Sequence, residues 1–136
     1  MARVAKVTPS DVRQRAATAR EHLQVTFERL DMTVANPGPS SEAQVAASNA
    51  VSAAIAASDA LCGHATGEHS ADQDHKAAVA MLNMVRPDGP ALSRKLSRLL
   101  NDKSIFRYGT FCTRAVAEKA CKDAQALIAA LDARNL

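Results

Sequence analysis

A chain of 136 residues, 47% of them hydrophobic but only 3% aromatic, is one domain's worth of sequence, long enough to bury a core without metal or disulfide staples. Alanine supplies much of the apolar content and glycines are few, which argues against a β-rich fold and for an all-α one. The net charge of +3 is modest, no apolar run reaches the length of about 18 residues that spans a bilayer, and no apolar stretch of signal-peptide length follows Arg3 and Lys6. The expectation is a single-domain cytoplasmic protein, residues 1–136, with no membrane partner.

The first predicted helix covers residues 8–30. Thr8 suits the N-cap, Pro9 the first helical position and Asp11 the positive end of the helix dipole. Val12, Ala16, Ala19, Leu23, Phe27 and Leu30 recur at spacings of three and four and form its buried stripe. The linker, residues 31–40, contains "NPGPSS", which cannot continue a helix. A second helix starts at Ser41, where Ser41-Glu42-Ala43-Gln44 fits a capping box, and continues through "AASNAVSAAIAASDALC". Small residues on nearly every side make it a central helix that neighbours can approach closely. Asp59 is its one charge after Glu42 and needs a partner.

"GHATGEHSADQD" reads as a polar loop, with Asp72 or Asp74 capping a third helix over 73–85. Ala78, Met81, Leu82 and Val85 are its inward residues, and His75, one turn ahead of Val79, leans back toward the bundle. After the turn signal "RPDGP" a fourth helix runs from 91 to between 101 and 103, striped by Leu92, Leu96, Leu99 and Leu100. A fifth starts near Thr113 and carries Val116, Ala120, Ala124, Leu127, Ile128 and Leu131 inward. Four to five antiparallel helices with short turns give an up-and-down bundle without internal repeats.

Charge is distributed unevenly. Residues 31–75 hold six acids and no Lys or Arg, whereas residues 86–122 hold nine bases against three acids. Either one surface attracts an anionic partner, or the helices pair their charges within the bundle. The three cysteines, Cys62, Cys112 and Cys121, have no CxxC spacing and read as reduced, half-buried thiols. His64, His69, Asp72, Asp74 and His75 place five ligand-type side chains in one loop, but their spacing matches no zinc motif. A solvated turn with helix-capping acids accounts for them, and neither a metal nor a cofactor is assigned.

Between the last two long helices lies "KSIFRYGTF", residues 103–111, with three of the chain's four aromatic residues. Lys103 continues the stripe Leu92, Leu96, Leu99 by one step, so it projects toward the core. An inward lysine must snorkel out, pair with an acid or point into a cleft, and Asp59 is the acid expected to meet it. Arg94, Arg98, Arg107 and Arg114 extend the basic character around it.

The segments "SNAVSAAIAASDALCGHATGEHSADQDHKAAVAML" and "LSRLLNDKSIFRYG", with the long last helix, resemble the HEPN (higher eukaryotes and prokaryotes nucleotide-binding) superfamily. The likeness covers residues 41–134. It implies an acid at the end of a small-residue helix, here Asp59, and a basic residue followed four to six positions later by a histidine or tyrosine. Many members are metal-independent ribonucleases of toxin–antitoxin and defence systems, working as dimers; others only bind. Here Lys103 and Tyr108 stand where the ribonuclease motif has arginine and histidine. Tyrosine is a poorer proton shuttle at neutral pH, and lysine lacks the planar fork that grips phosphate. The resemblance thus implies a homodimer associated with RNA and with an antitoxin or other partner protein, with weak or absent cleavage. Lys103, Tyr108 and Asp59 would carry any catalysis, and Arg94, Arg98, Arg107 and Arg114 the nucleic-acid contact. The rival reading is a non-catalytic interaction module whose aromatic corner is a dimerisation or partner plug.

Overall fold

The computed structural model describes residues 3–71 and 75–136, with the side chains of Ser104, Arg107 and Tyr108 outside the described set. The chain is an all-α helical bundle: α1 (Pro9–Asp31), α2 (Ser41–Thr66), α3 (His75–Asn83), α4 (Gly89–Asn101), α5 (Lys103–Tyr108) and α6 (Arg114–Ala133). Two three-residue strands, β1 (Val4–Lys6) and β2 (Glu68–Ser70), complete the described elements.

Cap chemistry sets the helix starts. Thr8 accepts from the Asp11 amide and Asp11 accepts from the Thr8 amide, a reciprocal box in front of Pro9. For α2 the cap is one residue earlier than the sequence indicates. Ser40, in extended conformation, accepts from the Ala43 amide, while the Ser41 hydroxyl turns to Glu42. Thr113 caps α6 through the Val116 amide. The C-terminus of α2 closes on Gly67, whose φ of 77° is the left-handed geometry glycine adopts freely.

Directions alternate along α1, α2, α4 and α6. The start of α1 meets the end of α2 through the small sheet, and Arg134 at the end of α6 bonds Asp88 at the start of α4. Consequently α2 and α6 run parallel, and their N-terminal ends are tied by the Ser40 amide donating to the Cys112 carbonyl (3.2 Å) and the Arg114 amide to the Pro37 carbonyl (3.1 Å). The α2 faces toward α1 and α6 are alanine: Ala43, Ala46, Ala50, Ala53, Ala57 and Ala60 are all inaccessible to solvent. Such a surface brings backbones together, and buried Thr26 exploits this by donating from α1 to the Ala46 carbonyl of α2 at 3.0 Å. By length and composition α2 is apolar enough to cross a membrane, but 67% of its apolar window is buried in the bundle, which marks a core helix.

The sheet lies where the sequence indicates a loop. β1 and β2 pair antiparallel with Ala5 opposite His69, and the Val7 amide to the Gly67 carbonyl and the Ala71 amide to the Arg3 carbonyl extend the ladder. Three residues are too few to establish a period of two, so these strands leave no pattern to read. Their consequence is positional: β2 is held against α2, with His69 beside Asp59.

Candidate functional site

Arg15 enters from α1, Asp59 from α2, His69 from β2, His75 from the start of α3 and Lys103 from the start of α5. Asp59 is the centre of the first three. Its side chain is 14% exposed, and its Oδ2 accepts from Arg15 Nη2 at 2.8 Å, while His69 Nδ1 stands 3.8 Å from Oδ1. Burial pushes the Asp59 carboxyl above its ordinary value, and His69 when protonated, the Arg15 guanidinium and His75 when protonated offset that only in part. His69 Nδ1 also lies 2.9 Å from the Ser70 carbonyl, which places its proton on that nitrogen.

Lys103 is half-buried at the start of α5, beyond the end of α4, and the acid expected for it pairs with Arg15. The Lys103 ammonium instead donates to His75 Nε2 at 2.8 Å. An ammonium has no acceptor, so His75 serves in this bond as the neutral base, its proton on Nδ1. His75 precedes Lys103 by 28 residues, and the fold brings the two together through space. The inward lean of His75 noted in the sequence was the usable signal.

The remaining sequence candidates are dispersed. Arg98 lies on α4 and donates to Asp123 through Nη2 (2.8 Å) and Nε (3.3 Å), with Lys95 Nζ at 4.0 Å from the same carboxylate. Arg114 pairs with Glu118 one turn along α6 at 3.0 Å. Arg94 is exposed on α4. Arg107 and Tyr108 belong to α5 by their backbone; their side chains lie outside the described residues, as do Asp72 and Asp74. Among the described residues, Lys95 and Arg98 meet Asp123 and Arg114 meets Glu118, both acids on α6.

Asp123, 7% exposed, is legible in the sequence as a carboxylate on the face that buries Ala120, Ala124 and Leu127. Among the described residues no three His, Cys, Asp or Glu side chains converge as a metal site. Of the aromatic cluster, Phe106 is buried and Phe111 is 57% exposed. No family model matches the chain, and no curated protein sequence matches it.

Proposed function

We propose that this is a HEPN-like, RNA-associated protein of a prokaryotic toxin–antitoxin or defence system, cytoplasmic and homodimeric, with weak or absent ribonuclease activity. The observation that carries the reading is the half-buried Lys103–His75 bond, set beside the Asp59–Arg15–His69 group at the place the family resemblance marks. A lysine that releases an imidazole in exchange for a phosphate oxygen leaves a neutral histidine ready to accept a proton. That is the pairing needed to bind an RNA backbone and, at most, to assist slow transfer of its 2′-hydroxyl proton. The part of Tyr108 rests on the resemblance alone.

The test is binding of labelled single-stranded RNA between about 50 and 200 mM salt, where contacts to phosphate lose affinity steeply. Lys103→Ala is expected to flatten the logarithmic salt slope by about 0.7, the contribution of one phosphate contact on a single strand. Failure of the wild-type protein to bind at low salt rejects the reading. His75→Ala should leave binding nearly intact while removing any cleavage; cleavage unchanged in both variants identifies a contaminating nuclease.

A second reading, an interaction module without nucleic acid, is favoured by one observation. Val45, Ile105 and Phe111 are 41%, 54% and 57% exposed around the junction of α2 and α5. A folded, oligomeric protein indifferent to RNA at every salt concentration supports it.

A further inference from the structure

A cleft of about 340 Å³ opens between α4 and α6 and is closed at one end by α5. Its floor is apolar, made by Leu99, Phe106 and Ala120, with Val116 at the mouth. Val116 falls on the stripe expected to face inward, yet it is 43% exposed. The volume lies at the small end of the 300–1,000 Å³ typical of ligand sites, so the cleft suits one ring system and not an extended ligand.

Charge and hydrogen-bonding groups narrow the choice. Arg98 lines one wall. Its two hydrogen bonds to Asp123 use the edge of the guanidinium and fix its plane, while the side chain remains 49% exposed. A planar cation held by its edge offers its face for stacking, which the ion pair does not consume. Opposite, Lys119 is exposed and has no ion pair among the described residues, so its ammonium is available to an anion. Arg94 and Lys122, both exposed nearby on α4 and α6, raise the local positive potential. At the α5 end, Asn101 supplies a donor and an acceptor and Asp102 an acceptor, suited to the polar edge of a heterocycle.

We propose that this cleft seats one unpaired nucleobase of a bound single-stranded RNA, stacked on Arg98 over the Phe106–Val116 floor, with the attached phosphate on Lys119. The inference rests on the RNA-associated reading and adds a subsite to it. Asp102 directly precedes Lys103 in the chain, so a strand seated here can continue toward the lysine. Arg98, expected among the nucleic-acid contacts, takes the part of a stacking platform here.

The experiment measures binding of a short oligoadenylate carrying 2-aminopurine, whose fluorescence is quenched on stacking, to wild type, Arg98→Lys, Lys119→Glu and Lys122→Glu. Arg98→Lys keeps the charge beside Asp123 but loses the plane, and should weaken binding at least about fivefold and abolish the quench. Lys119→Glu should weaken binding several times more than Lys122→Glu, an identical charge change outside the cleft. Independently of any variant, adenosine 5′-monophosphate should shift the amide resonances of Asn101, Phe106 and Ala120. RNA binding with equal losses in the two lysine variants, none in Arg98→Lys and no shifts at these amides overturns the cleft and leaves the RNA reading standing. No RNA binding by wild type overturns both.

Discussion

Along α2 the side chains facing α1 and α6 are alanines sealed from solvent, whereas the corner built by α3, α4 and α5 buries single leucines and links its helices through polar groups. The first region gains stability from many small burials between closely spaced backbones. The second relies on a few large side chains, Leu82, Leu96 and Leu99, and on contacts such as Ser93 Oγ to the Asn83 amide oxygen and Lys103 to His75. A closely packed layer has little room to rearrange, while a corner of short helices joined by polar contacts can open at lower cost. Both groups of candidate functional residues lie where the alanine layer meets that corner: Asp59 and Arg15 are carried by the rigid helices, and His75, Lys103 and the Arg98 cleft by the looser ones.

The largest effects should come from truncating one leucine in each region. Leu61 and Leu82 are both fully buried. Leu61→Ala leaves a cavity that the flanking alanine helices cannot fill by collapse, and should cost about 4 kcal/mol; Leu82→Ala, on the nine-residue α3, should relax and cost about 2.5 kcal/mol. Urea unfolding of the two variants checks the order. Equal costs, or the reverse order, break the contrast between the regions.

A smaller effect sharpens the account of how the alanine layer begins. Ser40→Ala removes the side-chain acceptor of the Ala43 amide and should cost about 1 kcal/mol, while Ser41→Ala should stay within about 0.5 kcal/mol. The same denaturation series measures both.

The contrast also explains what the sequence could show. Every long helix was legible because its stripe is maintained over three or more turns: Val12 to Leu30, Leu92 to Leu99 and Ala120 to Leu131 are buried as periodicity requires, with Phe27 half-buried beside them. The alanine character of α2 correctly marked it as central. What stayed hidden depends on through-space meetings. Nothing in the spacing of Arg15 and Asp59 along the chain, or of His75 and Lys103, indicates contact, and the β1–β2 pairing that brings in His69 rests on six residues without alternation. The cation at Asp59 is Arg15 and not the expected Lys103, because α1 packs along α2 and places Arg15 beside the carboxylate.

Asp59 allows a test by pH. Its folded-state ionisation is held above the ordinary 3.8 by burial, so the ionised form is disfavoured in the native state. The contribution is fully present below the unfolded value and is lost as pH rises through the folded one. Asp59→Asn does not titrate. The stability of wild type relative to this variant should therefore decline as pH climbs from about 3.8, then level off once the folded carboxyl has ionised. A relative stability that rises over this interval would mean that Arg15 and His69 outweigh burial, and would place Asp59 among ordinary paired carboxylates.

The smallest effect concerns the thiols, which report local opening without altering the protein. Burial pushes Cys62 on α2 and Cys121 on α6 up to about 11, and raises Cys112, in the α5–α6 connection, by the same cause. At pH 8 a thiol at about 11 is roughly one-thousandth thiolate, and both fully buried thiols are screened from reagent as well. Cys112 is only half-buried and lies beside exposed Phe111. A disulfide reagent such as Ellman's should therefore modify Cys112 first, and should reach Cys62 and Cys121 only at the rate of global unfolding. Dependence on denaturant separates the two regimes: a nearly flat rate for Cys112 indicates local opening of the corner, and a steep one for Cys62 indicates that the alanine layer opens as a unit. If Cys62 reacts as readily as Cys112, the layer is no more rigid than the corner, and the division of the molecule into a framework and a chemical edge does not hold.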